Sequence, residues 1–148
     1  MAEHHYLNAR ERNANSSTVL AALGYLNAYL GRPAQAIRYF EQAKLLDPFF
    51  NPTWYWPELG VAHFVAGRYD EAIAAFGRSS SMPFWVRAYL AACHALSGRV
   101  ECARDHAAQV VRLAPEFSLA RFARKEPFKN PTDLQRLVDG LRKAGLPE

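Results

Sequence analysis

A short motif recurs three times in this chain of 148 residues. Each copy begins with Gly-Arg, at Gly31, Gly67 and Gly98, and carries an alanine five residues after the glycine. The glycines are 36 and 31 residues apart, and these spacings bracket the 34-residue period of arrays built from helix–turn–helix units. We therefore expect stacked helical hairpins, with each glycine ending a helix in a left-handed backbone conformation.

The three copies also agree at other offsets. Small residues on both helices would let them approach closely, large residues would fill the gap between successive pairs, and prolines would end two of the second helices. The positions concerned are Gly24, Ala36, Phe40, Ala43 and Pro48 in the first copy, Gly60, Ala72 and Phe76 in the second, and Ala91, Ala103, Val110 and Pro115 in the third.

As a set, these positions resemble the tetratricopeptide repeat over about residues 17–115. The resemblance implies an all-α, right-handed superhelix of antiparallel helix pairs. We expect a single domain over residues 1–148, divided into a half-repeat helix (1–15), repeat 1 (17–50), repeat 2 (51–82), repeat 3 (83–115) and a capping region (116–148).

The half-repeat is inferred from Ala2, Tyr6 and Ala9, which stand 34 residues before their counterparts in repeat 1. The chain thus begins inside a second helix whose first helix is missing, as expected of a piece cut from a longer protein. An apolar end around Tyr6 and Ala9 would be open to self-association. In repeat 2, Pro57 delays the first helix, which we expect to start near Pro57 itself.

In the capping region, the sequence predicts a short helix near residues 118–125. It also predicts a longer amphipathic helix after Asn130-Pro131, with Asn130 as the N-cap. We expect Gly145 to close this helix. Its apolar side would cover repeat 3, and its polar side would face water. The inward set is Leu134, Leu137, Val138 and Leu141, and the outward set is Gln135, Arg136, Asp139 and Arg142.

The string Glu126-Pro127-Phe128-Lys129-Asn130-Pro131 and the ending over residues 140–148 carry a second resemblance. They are similar to the C-terminus of bacterial proteins in which tetratricopeptide repeats follow a class III adenylate or guanylate cyclase domain. This implies a parent polypeptide with a cyclase upstream and no cyclase activity in this chain.

No enzyme motif occurs in the sequence: GxGxxG, GxxxxGK[ST], HExxH and GxSxG are all missing. We expect His63 and His94 to be hydrogen-bonded where helices pair, and Cys93 and Cys102 to be free thiols. Asp70 begins a helix and is not expected to act as an acid or base. The expectation is a chain without catalytic residues, metal or cofactor.

The net charge of +4 is spread along the chain, which disfavours nucleic acid as a partner. One local basic cluster comprises Arg121, Arg124, Lys125 and Lys129. No apolar run reaches the ~18 residues of a membrane span, and no basic-plus-apolar leader opens the chain. We expect a cytoplasmic protein without a membrane span.

By resemblance to the family, the first helix of each pair lines a concave groove. The groove positions are Tyr25 and Tyr29 in repeat 1, Trp54, Glu58, Val61 and Phe64 in repeat 2, and Trp85, Tyr89 and Leu96 in repeat 3. Such a groove is aromatic and apolar, with one carboxylate and no cation, so it excludes capture of a chaperone's C-terminal carboxylate. It suits an amphipathic helix or an extended apolar segment.

These residues predict a non-catalytic protein-binding module, for instance the regulatory region of a class III cyclase protein. Two alternatives stay open: a module that forms homodimers, and a free-standing adaptor. The aromatic residues of the groove could also be covered by packing within the array.

Overall fold

The computed structural model describes the backbone of residues 2–148 and the side chains of residue 12 and residues 15–148. This part of the chain forms eight α-helices and no strand, which confirms the predicted all-α fold. In chain order the helices are α1 (Ala2–Tyr29), α2 (Pro33–Leu46), α3 (Tyr55–Val65), α4 (Tyr69–Gly77), α5 (Phe84–Leu96), α6 (Val100–Leu113), α7 (Leu119–Lys125) and α8 (Pro131–Lys143).

Helices α1 and α2, α3 and α4, and α5 and α6 pack as three hairpins. Their turns contain Gly31, Gly67 and Gly98, whose φ angles are 80°, 75° and 80°. In the first turn the Arg32 N–H donates to the Asn27 carbonyl at 2.9 Å, and the other two turns repeat this bond at the same length. The carbonyls at each helix end are thereby satisfied, and the chain reverses in a few residues.

Each of the first two hairpins is held together by a glycine facing a phenylalanine. A Cβ atom on Gly60 would lie 2.6 Å from the Phe76 ring, and one on Gly24 would lie 2.7 Å from Phe40. Both rings are fully buried. The Phe76 ring also lies 5.7 Å from the Tyr89 ring of the next hairpin, so it joins successive pairs as predicted.

Two helix boundaries differ from the sequence-based expectation. The half-repeat over residues 1–15 is not a separate helix, because α1 continues unbroken from Ala2 to Tyr29. Helix α3 begins at Tyr55, two residues before Pro57. Proline is tolerated there because N–H groups in the first helical turn have no intrahelical acceptor.

The capping region forms α7 and α8 as expected. The Asn130 side chain accepts a hydrogen bond from the Thr132 N–H at 2.9 Å, which confirms Asn130 as the N-cap of α8. Gly145 follows the helix with a φ angle of 89°. No helix in the described residues is long and apolar enough to cross a membrane.

The contact between Gly60 and Phe76 predicts that Gly60→Ala destabilises the protein. The added methyl group would clash with a fully buried ring, and overpacking of this kind costs about 1–3 kcal/mol. In urea denaturation we expect the free energy of unfolding to fall by about 1 kcal/mol or more after the gain in helix propensity is included.

Gly77→Ala is the matched control, because a Cβ there would meet nothing within 4 Å. This variant should be unchanged or more stable by up to ~1 kcal/mol. Equal stability of the two variants would contradict the close contact.

Candidate functional site

The predicted groove is formed by the first helices of the three hairpins, and it is filled by the chain itself. Val61, Phe64 and Tyr89 are fully buried, and Tyr29 is nearly so. All four belong to one buried cluster that includes apolar residues of α8. The structure therefore corrects the expectation of an open groove at these positions. At these four positions the aromatic and apolar side chains are instead covered by packing within the chain.

Helix α8 packs directly on α5. A Cβ atom on Gly140 would lie 2.8 Å from the Cβ of Ala92, so the two helices touch at a pair of small residues. Leu137 and Leu141 flank this contact and are fully buried. The apolar stripe of α8 thus faces inward, while Leu134 and Val138 are only partly buried.

Arg136 lies between α8 and the end of α3, and the expectation that it faces water is wrong. Its guanidinium donates hydrogen bonds to the carbonyls of Val65 at 2.7 Å and Phe64 at 3.3 Å. It also contacts the Tyr69 hydroxyl at 3.1 Å and the Asp133 carboxylate at 3.1 Å. The cation therefore satisfies backbone acceptors at the C-terminal end of α3, where the helix dipole favours positive charge.

The segment before α8 extends this contact to the first hairpin. We call residues 126–148 the tail. The ring of Phe128 lies 4.9 Å from the ring of Tyr29, and the Lys129 N–H donates to the Tyr29 carbonyl at 2.9 Å. At the other end of the tail, the Pro147 carbonyl accepts a hydrogen bond from the Leu119 N–H at 2.8 Å. The tail thus contacts all three first helices and α7.

The remaining predicted groove residues are less buried. Tyr25 is 40% exposed, and its ring lies tilted against the ring of Tyr29 at a centroid distance of 5.0 Å. Trp85 is partly buried 6.1 Å from Tyr89, and Leu96 packs on the edge of the same cluster.

Trp54 does not join the buried groove cluster. It packs on Phe50 at 6.3 Å, in a second cluster that also includes residues of α1 and α2. The self-association residues Tyr6 and Ala9 lie outside the residues whose side chains are described.

A pair of carboxyl groups lies among the groove tyrosines, with Glu58 from α3 and Glu126 from the tail. Burial, reinforced by the charge of Glu126, raises the pKa of Glu58 to about 8. Burial also raises the pKa of Glu126 to about 7. The nearby Tyr29 hydroxyl opposes both shifts. Both carboxyl groups therefore hold a proton at a higher pH in the folded state than in the unfolded state.

One Glu58 oxygen, Oε2, is buried without a hydrogen-bond partner among the described residues. An unpaired carboxylate oxygen in a buried site favours the neutral acid. Within the part of the chain that the structure describes, no cluster of three or more His, Cys, Asp or Glu side chains could hold a metal ion. The carboxyl pair is an electrostatic contact between α3 and the tail.

The other residues singled out from the sequence lie away from this site. His94 accepts a hydrogen bond from Arg99 Nε at 3.0 Å and stacks on His106 at 5.3 Å. His63 was expected to be hydrogen-bonded too, but its buried Nδ1 has no partner among the described residues. Cys93 is a buried free thiol and Cys102 an exposed one.

Three tail residues that shape the site were missed as functional residues. Arg136 directly precedes the buried Leu137. Helical periodicity alone therefore predicts that Arg136 lies at the edge of the polar side of α8. Glu126 and Phe128 lie in a segment between helices, where periodicity carries no information about burial. The only sequence feature that singled out Glu126 and Phe128 was the resemblance of residues 126–131 to other C-termini. Such a resemblance does not indicate which residues the segment contacts.

The chain matches the family model of the tetratricopeptide repeat over residues 17–50, which cover the second half of α1, α2 and the loop that follows. The search of curated proteins finds no match to this chain. Together with the three stacked hairpins, the repeat match defines an all-α superhelix of the tetratricopeptide type. Repeats of this class form protein-interaction modules.

The raised carboxyl pKa values predict a pH-dependent stability. The folded state binds protons more tightly than the unfolded state between about pH 4.5 and pH 8, so the free energy of unfolding falls as pH rises through this window. Histidines with lowered pKa, such as His94, act oppositely, but only up to about pH 6.5. Between pH 6.5 and 8.5 we expect wild type to lose about 2 kcal/mol in urea titrations.

Glu58→Gln should lose much less over the same range and should be more stable than wild type at pH 8.5. Glu101→Gln, which removes an exposed carboxyl group on α6, is the matched control and should keep the wild-type slope. A Glu58→Gln slope equal to that of wild type would show that the pKa of Glu58 is not raised.

Proposed function

We propose that this chain is a non-catalytic protein-interaction module whose inner face receives an amphipathic helix or an apolar segment of a partner. The tail is the resident occupant of that face, and a partner binds by taking its place. The observation that carries the proposal is the seating of α8 on α5, with Gly140 in contact with Ala92.

The docking of α8 combines features that recur when a helix binds in a groove: apolar anchors at helical spacing, a small residue at the closest approach, and a polar contact at the edge. Leu137 and Leu141 supply the anchors, Gly140 the close approach, and Arg136 the edge contact. A partner helix with the same pattern would make the same contacts.

The resemblance of residues 126–148 to the C-termini of class III cyclase proteins supports a finer form of the proposal. In this form the module is a regulatory region of a larger bacterial, cytoplasmic protein, and release of the tail reports partner binding to an upstream domain. A free-standing adaptor would use the same inner face without that domain.

Exchange of the tail is tested with a fluorescent synthetic peptide of residues 127–148 added to the full chain. Binding to wild type should be weak, because the face is occupied. In the Gly140→Leu variant the chain's own α8 would clash with Ala92. The peptide should therefore bind this variant at least about tenfold more tightly than it binds wild type. Fluorescence anisotropy measures the difference.

The matched control is the same peptide with Gly140→Leu, which should not bind any form of the protein. Arg136→Met weakens the tail in a second way, by removing the hydrogen bonds to the carbonyls of Phe64 and Val65, and should also increase binding. Circular dichroism verifies that both variants stay helical. If both are folded and neither binds the peptide, the tail is a permanent part of the core and the proposal fails.

Self-association is the second candidate, and an apolar stripe on α1 favours it. Val19 and Leu26 are 59% and 50% exposed and stand seven residues apart, hence on one side of the helix. Val19 also borders a shallow depression of about 380 Å³ with Asn15, Ser16 and Leu20. A second copy of the chain placing its own α1 along this stripe would cover it.

Sedimentation equilibrium tests this candidate. A dimer of wild type should dissociate at least tenfold more readily in Val19→Glu, because a charge would be buried at the contact. Val111→Glu, at an exposed valine on α6, should dimerise like wild type. A wild-type monomer at millimolar concentration would eliminate this candidate.

A further inference from the structure

A cavity of about 490 Å³ lies between the start of α5, the loop after α6, and α7. Its apolar wall consists of three phenylalanines, Phe84, Phe117 and Phe122. Their ring centroids lie 5.4–6.3 Å apart, and each ring contacts the other two. The three rings thus form one continuous aromatic wall.

The rings are not equally covered. Phe117 is buried and Phe122 is partly buried, whereas Phe84 is 37% exposed. The Phe122 ring also lies 6.3 Å from Tyr89, so the back of the wall is fixed to the core of the array. The wall is preformed, and its front is open to solvent.

Two cations stand at the rim of the cavity. Arg121 and Lys125 are one helical turn apart on α7 and border the cavity. The Arg121 guanidinium is held in place by a hydrogen bond to the backbone carbonyl of Glu116 at 2.5 Å. Glu116 is the one carboxylate among the lining residues. The rim is therefore net positive above an apolar floor.

The geometry points to a binding site for a small amphipathic acid, in which an aryl or short alkyl body lies on the phenylalanine wall and a carboxylate meets Arg121 and Lys125. The cavity volume falls in the range of about 300–1,000 Å³ typical of small-molecule sites. Two cations beside an otherwise apolar wall give an anionic ligand a higher affinity than a neutral ligand of the same shape. None of the residues that line the cavity belongs to the tail, so the tail need not move for the cavity to fill.

The test uses 4-phenylbutyrate as the probe, titrated into the full-length chain and followed by NMR of the phenylalanine rings. We expect saturable shifts at Phe84, Phe117 and Phe122 with a Kd on the order of 1 mM. The neutral analogue 4-phenylbutan-1-ol should bind about fivefold more weakly, since it lacks the charge that the rim recognises.

Arg121→Gln combined with Lys125→Gln should weaken 4-phenylbutyrate by about fivefold and leave the alcohol unchanged. The matched control is Arg124→Gln, an exposed cation on the same helix that does not line the cavity, and it should bind like wild type. Lys125→Gln alone serves if the double variant does not fold. Non-saturating shifts, equal binding of acid and alcohol, or unchanged binding by the rim variant would each overturn the proposal.

Discussion

The seating of α8 against α5 depends on the absence of a side chain at Gly140. The two helices are in contact at Gly140 and Ala92, where a Cβ on the glycine would lie 2.8 Å from that of the alanine. This approach brings Leu137 and Leu141 into the cluster formed by the three first helices. It also sets the position of Arg136 at the end of α3. Without it, the aromatic face of the array would be left to solvent.

The contact between the tail and the first helices also includes polar groups, although apolar side chains alone would be enough to hold the tail. Glu58 on α3 and Glu126 in the tail interact electrostatically, and burial makes the ionisation of both groups costly. Apolar residues at both positions would hold the tail without any dependence on pH. The acidic pair makes the stability of the folded state depend on pH, a condition that leaves the apolar contacts unchanged.

The repeating part of the fold could be predicted from the sequence because local signals repeat there. Glycines at each turn and the glycine–phenylalanine contacts such as Gly60 with Phe76 have the same physical role in successive copies, so one copy supports another. The N-cap at Asn130 was equally local. The continuous α1 was not predicted because the repeat pattern places a boundary between residues 15 and 17, whereas the helix continues through it.

The candidate site was harder, since it joins distant segments. The identity of the groove residues could be inferred from the repeat, but their burial depends on where the tail goes. The bonds from Arg136 to Phe64 and Val65 span about 70 positions, and nothing in the local pattern around residue 136 specifies such a partner. Periodicity predicted that this residue faces water, whereas hydrogen bonds to carbonyls at the C-terminal end of α3 hold its guanidinium inside.

In the proposed exchange, the covalently attached tail competes with a partner segment as a ligand of high effective concentration, on the order of millimolar for a short linker. Only five residues separate α7 from α8. Because the attachment is covalent, the local concentration of the tail does not fall when the protein is diluted. A free segment with the intrinsic affinity of α8 would have to reach a similar concentration to occupy half of the molecules. In the proposed exchange, attachment of the tail therefore sets an affinity threshold, and a segment that binds more weakly than the tail needs a correspondingly higher concentration.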